Sequence, residues 1–189
     1  MAPRIVILDL ESSSLEADAG IVVGAGLMTE AGRAEYLEAR KSGEEKRLVS
    51  KLLERLEKYD LIVTWSGNGF DVPFLTTRLL KHGLDPRPFL AKRRLDLNLV
   101  VKSNLRLTFT YLDHVCEFFG IKRNDNLMGM DVPLLFLKAM EGDRSALKRI
   151  KLHCLDDLRA TRLVFLKLKP LLGGWLEDSE RSFQPDKHA

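Results

Sequence analysis

The chain lacks a disulfide framework: it has only two cysteines, Cys116 and Cys154. Each lies near a histidine, His114 with Cys116 and His153 with Cys154. These spacings are not the usual zinc-ligand pairs, and both cysteines fall on apolar helical positions, so no Cys/His zinc site is expected. No apolar run is long enough to cross a bilayer, which argues against a membrane partner. The first residues, MAPRIVIL, show no signal-peptide pattern, and a cytoplasmic location is the default expectation. Neither sign of charge dominates: 30 basic and 27 acidic residues give a net charge of +3. That balance alone does not demand a nucleic-acid partner. Low-complexity tracts, internal repeats and obvious linkers are also missing.

What is present suits one domain with a sizeable core, residues 1–172, followed by a polar tail over 173–189. RIVILDL (4–10) is almost continuously apolar, as in a strand buried on both faces. Residues 20–28 and 33–39 read as two further strands around a turn at Glu30-Ala31-Gly32. Residues 44–58 form an amphipathic helix with Leu48, Leu52, Leu53 and Leu56 on one stripe. DLIVTW (60–65) is a strand, Ser66–Gly69 a loop, and Phe70–His82 a helix closed by Gly83. Residues 85–93 read as loop, and Arg94–Val101 as a short strand or strand-to-helix piece. Helices are expected over 110–119, 131–141 and 144–169. Three sequential strands followed by helix-connected strands imply an α/β fold, a mixed sheet of about five strands flanked by helices.

Four carboxylates carry the chemistry. Asp9 and Glu11 are two apart on the first strand, so both point to one face. Like charges on a buried strand are costly unless ligated, and a cation would resolve the conflict. The bland alternative is a strand end facing water. Asp71 opens a helix after the loop Ser66-Gly67-Asn68-Gly69. The helix dipole alone would favour an acid there, but the loop glycines also permit close approach of a ligand. Asn68 offers an amide, and Trp65, Phe70 and Phe74 offer aromatic surface able to stack a base, although such residues are commonly core. Asp157 lies at the border of the last helix's apolar stripe, with His153 four residues earlier on the same face. His153 can serve as a base near a nucleophilic water. Asp156, about a hundred degrees around the helix, is expected to be more solvated. With acids gathered at one site, Lys92-Arg93-Arg94, Lys122-Arg123 and Lys148-Arg149-Lys151 would be left to track phosphates, though each run also reads as an ordinary solvated face.

These segments together resemble the DEDD superfamily of 3′–5′ exonucleases, of ribonuclease-H-like fold, and most closely the proofreading domain of B-family DNA polymerases and its stand-alone relatives. The Asp-x-Glu motif matches Asp9 and Glu11. The Asn-Gly-x-x-Phe-Asp-like turn is approximated by Asn68-Gly69-Phe70-Asp71. The third motif, a Tyr or His before an Asp, matches His153 and Asp157. RRLDLNLVV and YLDHVCEFFGI resemble the family's middle region, and the likeness runs from about residue 4 to 168. It implies two Mg²⁺ or Mn²⁺ ions roughly 3.5–4 Å apart, held by Asp9, Glu11, Asp71 and Asp157, with Asp9 bridging. It implies a single-stranded DNA or RNA 3′ end as substrate, and a polymerase or repair partner chain for any proofreading role. One departure matters: His153 stands at the spacing that the family's Tyr subclass uses, three residues before its acid, where the His subclass leaves four. Two alternatives stay open, an exoribonuclease of the same fold and a catalytically inactive nucleic-acid-binding module.

Overall fold

The computed structural model describes residues 2–177, and its centre is strand β1, Ile5–Ser12. Side chains alternate along a strand. Ile5 and Ile7 therefore enter one apolar layer, while Val6, Leu8 and Leu10 enter the other. β2 (Val22–Thr29) runs antiparallel to β1, and β3 (Ala34–Glu38) antiparallel to β2. Their turn uses Gly32 at φ 91°, a left-handed conformation that favours glycine.

α1 (Glu45–Leu56) leads into β4 (Leu61–Thr64), which lies parallel to β1 on its other side. α2 (Asp71–Lys81) and the short α3 (Arg87–Leu90) follow, then β5 (Arg93–Asp96), parallel to β4. The sheet order is β3-β2-β1-β4-β5. α1 and α2 cover the face of Val6, Leu8 and Leu10, with Phe89 of α3 at its edge. The opposite face is covered by α4 (Leu97–Asn104), α5 (Leu112–Phe118) and α7 (Arg144–Glu177). α6 (Val132–Met140) packs with the start of α7 against Val23.

The expected mixed sheet of about five strands, flanked by helices, is present. Two local differences, in 85–93 and in the tail, have physical causes, and between them the strand-to-helix reading of Arg94–Val101 holds. The stretch 85–93 contains α3, because Phe89 is pulled into the core at 1% exposure. Arg94–Val101 resolves into the end of β5 and the start of α4, and Asp96 caps that helix by accepting from Asn98 N. The tail expected from Gly173 is helical as far as Glu177: α7 continues through Pro170 because Leu172, Trp175 and Leu176 still pack on the core. The remainder of that expected tail lies outside the described residues.

Candidate active site

The acids extend the inner face of β1 beyond its apolar part. After Ile5 and Ile7 the next residues on that face are Asp9 and Glu11. Across the ladder Asp9 faces Gly26 and Glu11 faces Gly24, and the register slips just beyond, between Glu11 and Ser12. Such a slip bends a strand end and re-aims its side chains. The glycines let other groups come close. A Cβ at Gly26 would lie 2.5 Å from Leu158 Cδ1 and 2.6 Å from Cys154 Sγ. A Cβ at Gly24 would collide with the Tyr36 hydroxyl. α7 therefore crosses the sheet beside Asp9, and Tyr36 covers Glu11.

Asp71 reaches the same place from the other side. β4 pairs with β1 only as far as Ile7, which leaves Leu10 N without a strand partner on that side. Asp71 supplies one: its Oδ1 accepts from Leu10 N at 3.0 Å. The loop before it is pinned by Asp96, whose carboxylate accepts from Ser66 N at 2.9 Å and Asn68 N at 3.1 Å. Ser66 is held at φ 57°, a strained conformation for a non-glycine residue. Its hydroxyl accepts from Asn98 Nδ2 at 2.9 Å.

Asp157 and His153 arrive on α7. His153 Nε2 lies 3.8 Å from Asp157 Oδ2, and Nδ1 lies 2.9 Å from Asp125 Oδ2. Arg123 pairs with Asp157, Asp156 and Asp113. Among the described residues, ligand atoms of Asp9, Glu11 and Cys154 all lie within 4.8 Å of one another. A cleft of about 550 Å³ opens beside them, lined by Asp9, Trp65, Tyr111, Arg123, His153 and Asp157 among others.

The electrostatics are strained in one direction. Burial, then the charges of Asp157 and Asp71, push the Asp9 carboxyl well above its ordinary value. Burial and then Asp9 do the same to Glu11. Burial pushes Asp71 up to about 7 against its backbone hydrogen bonds. Burial raises Asp157 as well, against the pull of His153 and Arg123. The Cys154 thiol is pushed up by burial and by Asp9, so it stays protonated and directs its hydrogen toward Asp9 O at 3.9 Å. Clustered acids that cannot all ionise alone are a fitting donor set for hard divalent cations.

Asp9, Glu11, Asp71 and Asp157 thus gather around one end of β1, with His153 beside Asp157. The four residues expected to bind substrate are divided. Trp65 lines the carboxylate cleft. Asn68 is exposed on the loop. Phe70 and Phe74, with ring centroids 5.3 Å apart, line a second hollow of about 450 Å³ with Leu15 and Thr77. Phe74 is 3% exposed and packs mainly in the core.

Other expectations need correcting. Asp156 is buried, not solvated, because it accepts from Arg123, Arg159 and Asn124. Lys92, Arg93 and Arg94 each donate to backbone carbonyls, of Glu57 and Tyr59, of Trp175, and of Phe89 and Leu90 respectively, so this run is tied to the fold and is not a freely solvated face. Lys148, Arg149 and Lys151 are exposed. Sequence reasoning missed Asp96, Asp125 and Tyr36. The alternate glycines of VVGAGLMT signalled a close approach over β2. Nothing local marked Asp125, whose partner is 28 residues away.

A mixed sheet in this order, with carboxylates at the end of its central strand, defines a ribonuclease-H-like α/β protein. A model of the RNase_H superfamily, RNase_H_2, matches residues 6–169, and the chain belongs to that superfamily. The chain is also similar to a DNA polymerase of Methanocaldococcus jannaschii, 31% identical over a 99-residue alignment covering 42% of this chain and 6% of that protein. It superposes on the family B DNA polymerase from the hyperthermophilic archaeon Pyrobaculum calidifontis with a TM-score of 0.78 at 24% identity. That match covers 91% of this chain and 25% of the polymerase, and at such identity it speaks for a shared fold. The chain therefore spans only a small part of these relatives. Among the described residues, no helix is long and apolar enough to cross a membrane.

Proposed function

We propose that this chain is a metal-dependent 3′–5′ exonuclease acting on single-stranded nucleic acid, DNA in preference to RNA. One observation carries the reading. Asp9, Glu11, Asp71 and Asp157 converge from three distant segments with more negative charge than the site neutralises, beside a cleft that holds Trp65 and His153. These four carboxylates would hold two Mg²⁺ or Mn²⁺ ions. Such ions, when bound, supply the positive charge that acidifies a water and offsets charge on the phosphate and leaving oxygens.

The chain's own groups do the rest. Trp65 and the exposed Tyr111 give the terminal base aromatic surface on which to stack. His153 Nε2 takes the proton of the attacking water as its oxygen bonds to phosphorus. The phosphorus–O3′ bond breaks, the 3′ oxygen leaves and is protonated from solvent, and a nucleoside monophosphate is released.

The test uses 3′-labelled single-stranded DNA and RNA with Mg²⁺, Mn²⁺ or chelator. Labelled mononucleotide should appear with the first turnover and only with metal. Asp9→Ala and Asp157→Ala should abolish its release while circular dichroism stays unchanged. Full activity in either variant would remove this site. His153→Ala should lose about 10²–10⁴ in rate with metal affinity almost unchanged. Preference for the RNA arm would favour an exoribonuclease.

A further inference from the structure

The segment 121–128 between α5 and α6 is fastened to the functional stretch of α7 by consecutive residues. Lys122 O accepts from Arg159. Arg123 pairs with Asp156 and Asp157. Asn124 donates to Asp156 twice, from N and from Nδ2, each at 3.1 Å. Asp125 then meets His153, with Oδ2 2.9 Å from Nδ1. Asp156 is the anchor of this strap. Its two oxygens accept from Arg123, Asn124 and Arg159. A charged, multiply bonded anchor fixes where the next residue of the strap points.

We propose that Asp125 is a positioning residue for His153, fixing the Nδ1–H tautomer and leaving Nε2 as the bare ring nitrogen beside Asp157. A carboxylate can only accept, so its contact with Nδ1 places the hydrogen of the neutral ring on that nitrogen. His153 is 3% exposed, so little solvent competes with these contacts for its ring nitrogens. The two nitrogens face opposite acids, which sets the ring's orientation as well as its tautomer. A histidine held in this way presents its lone pair in one direction without reorganising. This inference rests on the exonuclease reading for its kinetic consequence but not for its structural one.

Two measurements test it. The first is the ¹⁵N spectrum of His153 in metal-free protein, followed to alkaline pH until the ring signals no longer change. The wild type should show hydrogen on Nδ1 and none on Nε2, and Asp125→Ala should move the hydrogen largely to Nε2. A wild-type ring already carrying it on Nε2 overturns the proposal. The second is kinetic. Asp125→Ala should lower kcat about 10–100-fold with KM nearly unchanged, the usual cost of losing a group that orients a histidine. Asp125→Asn, which keeps an oxygen acceptor, should recover part of that. Adding Asp125→Ala to His153→Ala should cost nothing further. An equal loss in that background would show that Asp125 merely braces the strap, and would overturn the proposal. If the wild type degrades no nucleic acid, the exonuclease reading falls, while the nitrogen spectrum still decides the tautomer.

Discussion

Asp71 condenses the conflict on which this site is built. Its carboxylate bonds Leu10 N and lies at the start of α2, both of which favour ionisation, yet burial pushes it up to about 7. A carboxyl raised in this way keeps its proton in the folded chain after the unfolded chain has released it. The folded state then binds more protons between about 4 and 7, and stability falls as pH rises through that window. Asp71→Asn removes the charge and keeps an oxygen for Leu10 N. In chelator at pH 8 it should melt several °C above the wild type, since ~1 kcal/mol corresponds to about 2–4 °C in a domain of this size. The gain should shrink toward pH 4. A variant less stable than wild type at both pH values would mean that Asp71 is a structural cap and nothing more.

At the scale of elements, α2, the helix that carries Asp71, is locked by an ion cluster with no signature in the sequence. Glu45 opens α1 at 1% exposure. Its Oε1 accepts from Arg78 Nε at 2.7 Å and Val22 N at 2.8 Å, and its Oε2 lies 2.6 Å from Arg78 Nη2 and 2.7 Å from His82 Nε2. Arg78 also donates to Ala17 O at 2.7 Å. The cluster joins α1, α2, β2 and the loop after β1, and so fixes the entry of α2 that aims Asp71. Burial pushes Glu45 up, but these donors outweigh it and hold its carboxyl below the ordinary value. Glu45→Ala leaves the Arg78 guanidinium buried and unpaired, and should cost about 3–5 kcal/mol. Thermal melting should fall by on the order of 10 °C or more. A drop of only a degree or two would mean that water replaces the carboxylate.

For the whole molecule, the unresolved acidic charge is a reserve of stability that cations can release. A ligand that binds only the folded chain stabilises it by about 2.7 kcal/mol at a hundred times its dissociation constant. Mn²⁺ should therefore raise the melting temperature of the wild type by roughly 5–10 °C. The paired variant Asp9→Asn with Asp157→Asn should respond little. An equal rise in both would locate the cation elsewhere.

The strands, most of the helices and the candidate carboxylates were legible in the sequence because each rests on a local pattern. β1 is apolar on both faces, α1 carries one leucine stripe, and Asp9 and Glu11 share a face through the two-residue period of a strand. What the sequence left open was every partner drawn from afar. Asp156 looked solvated because helical geometry says nothing of Arg123 and Asn124, which arrive from another segment. The basic run 92–94 looked free because its carbonyl partners come from α3, the turn after α1 and the end of α7. Asp125 had no local mark at all, and the β2 glycines marked a close approach without naming Tyr36. Pattern along a chain determines which faces must be buried and which polar groups need compensation. Which group compensates them is decided only when distant segments pack, because hydrogen bonds and charges act through space and not along the sequence.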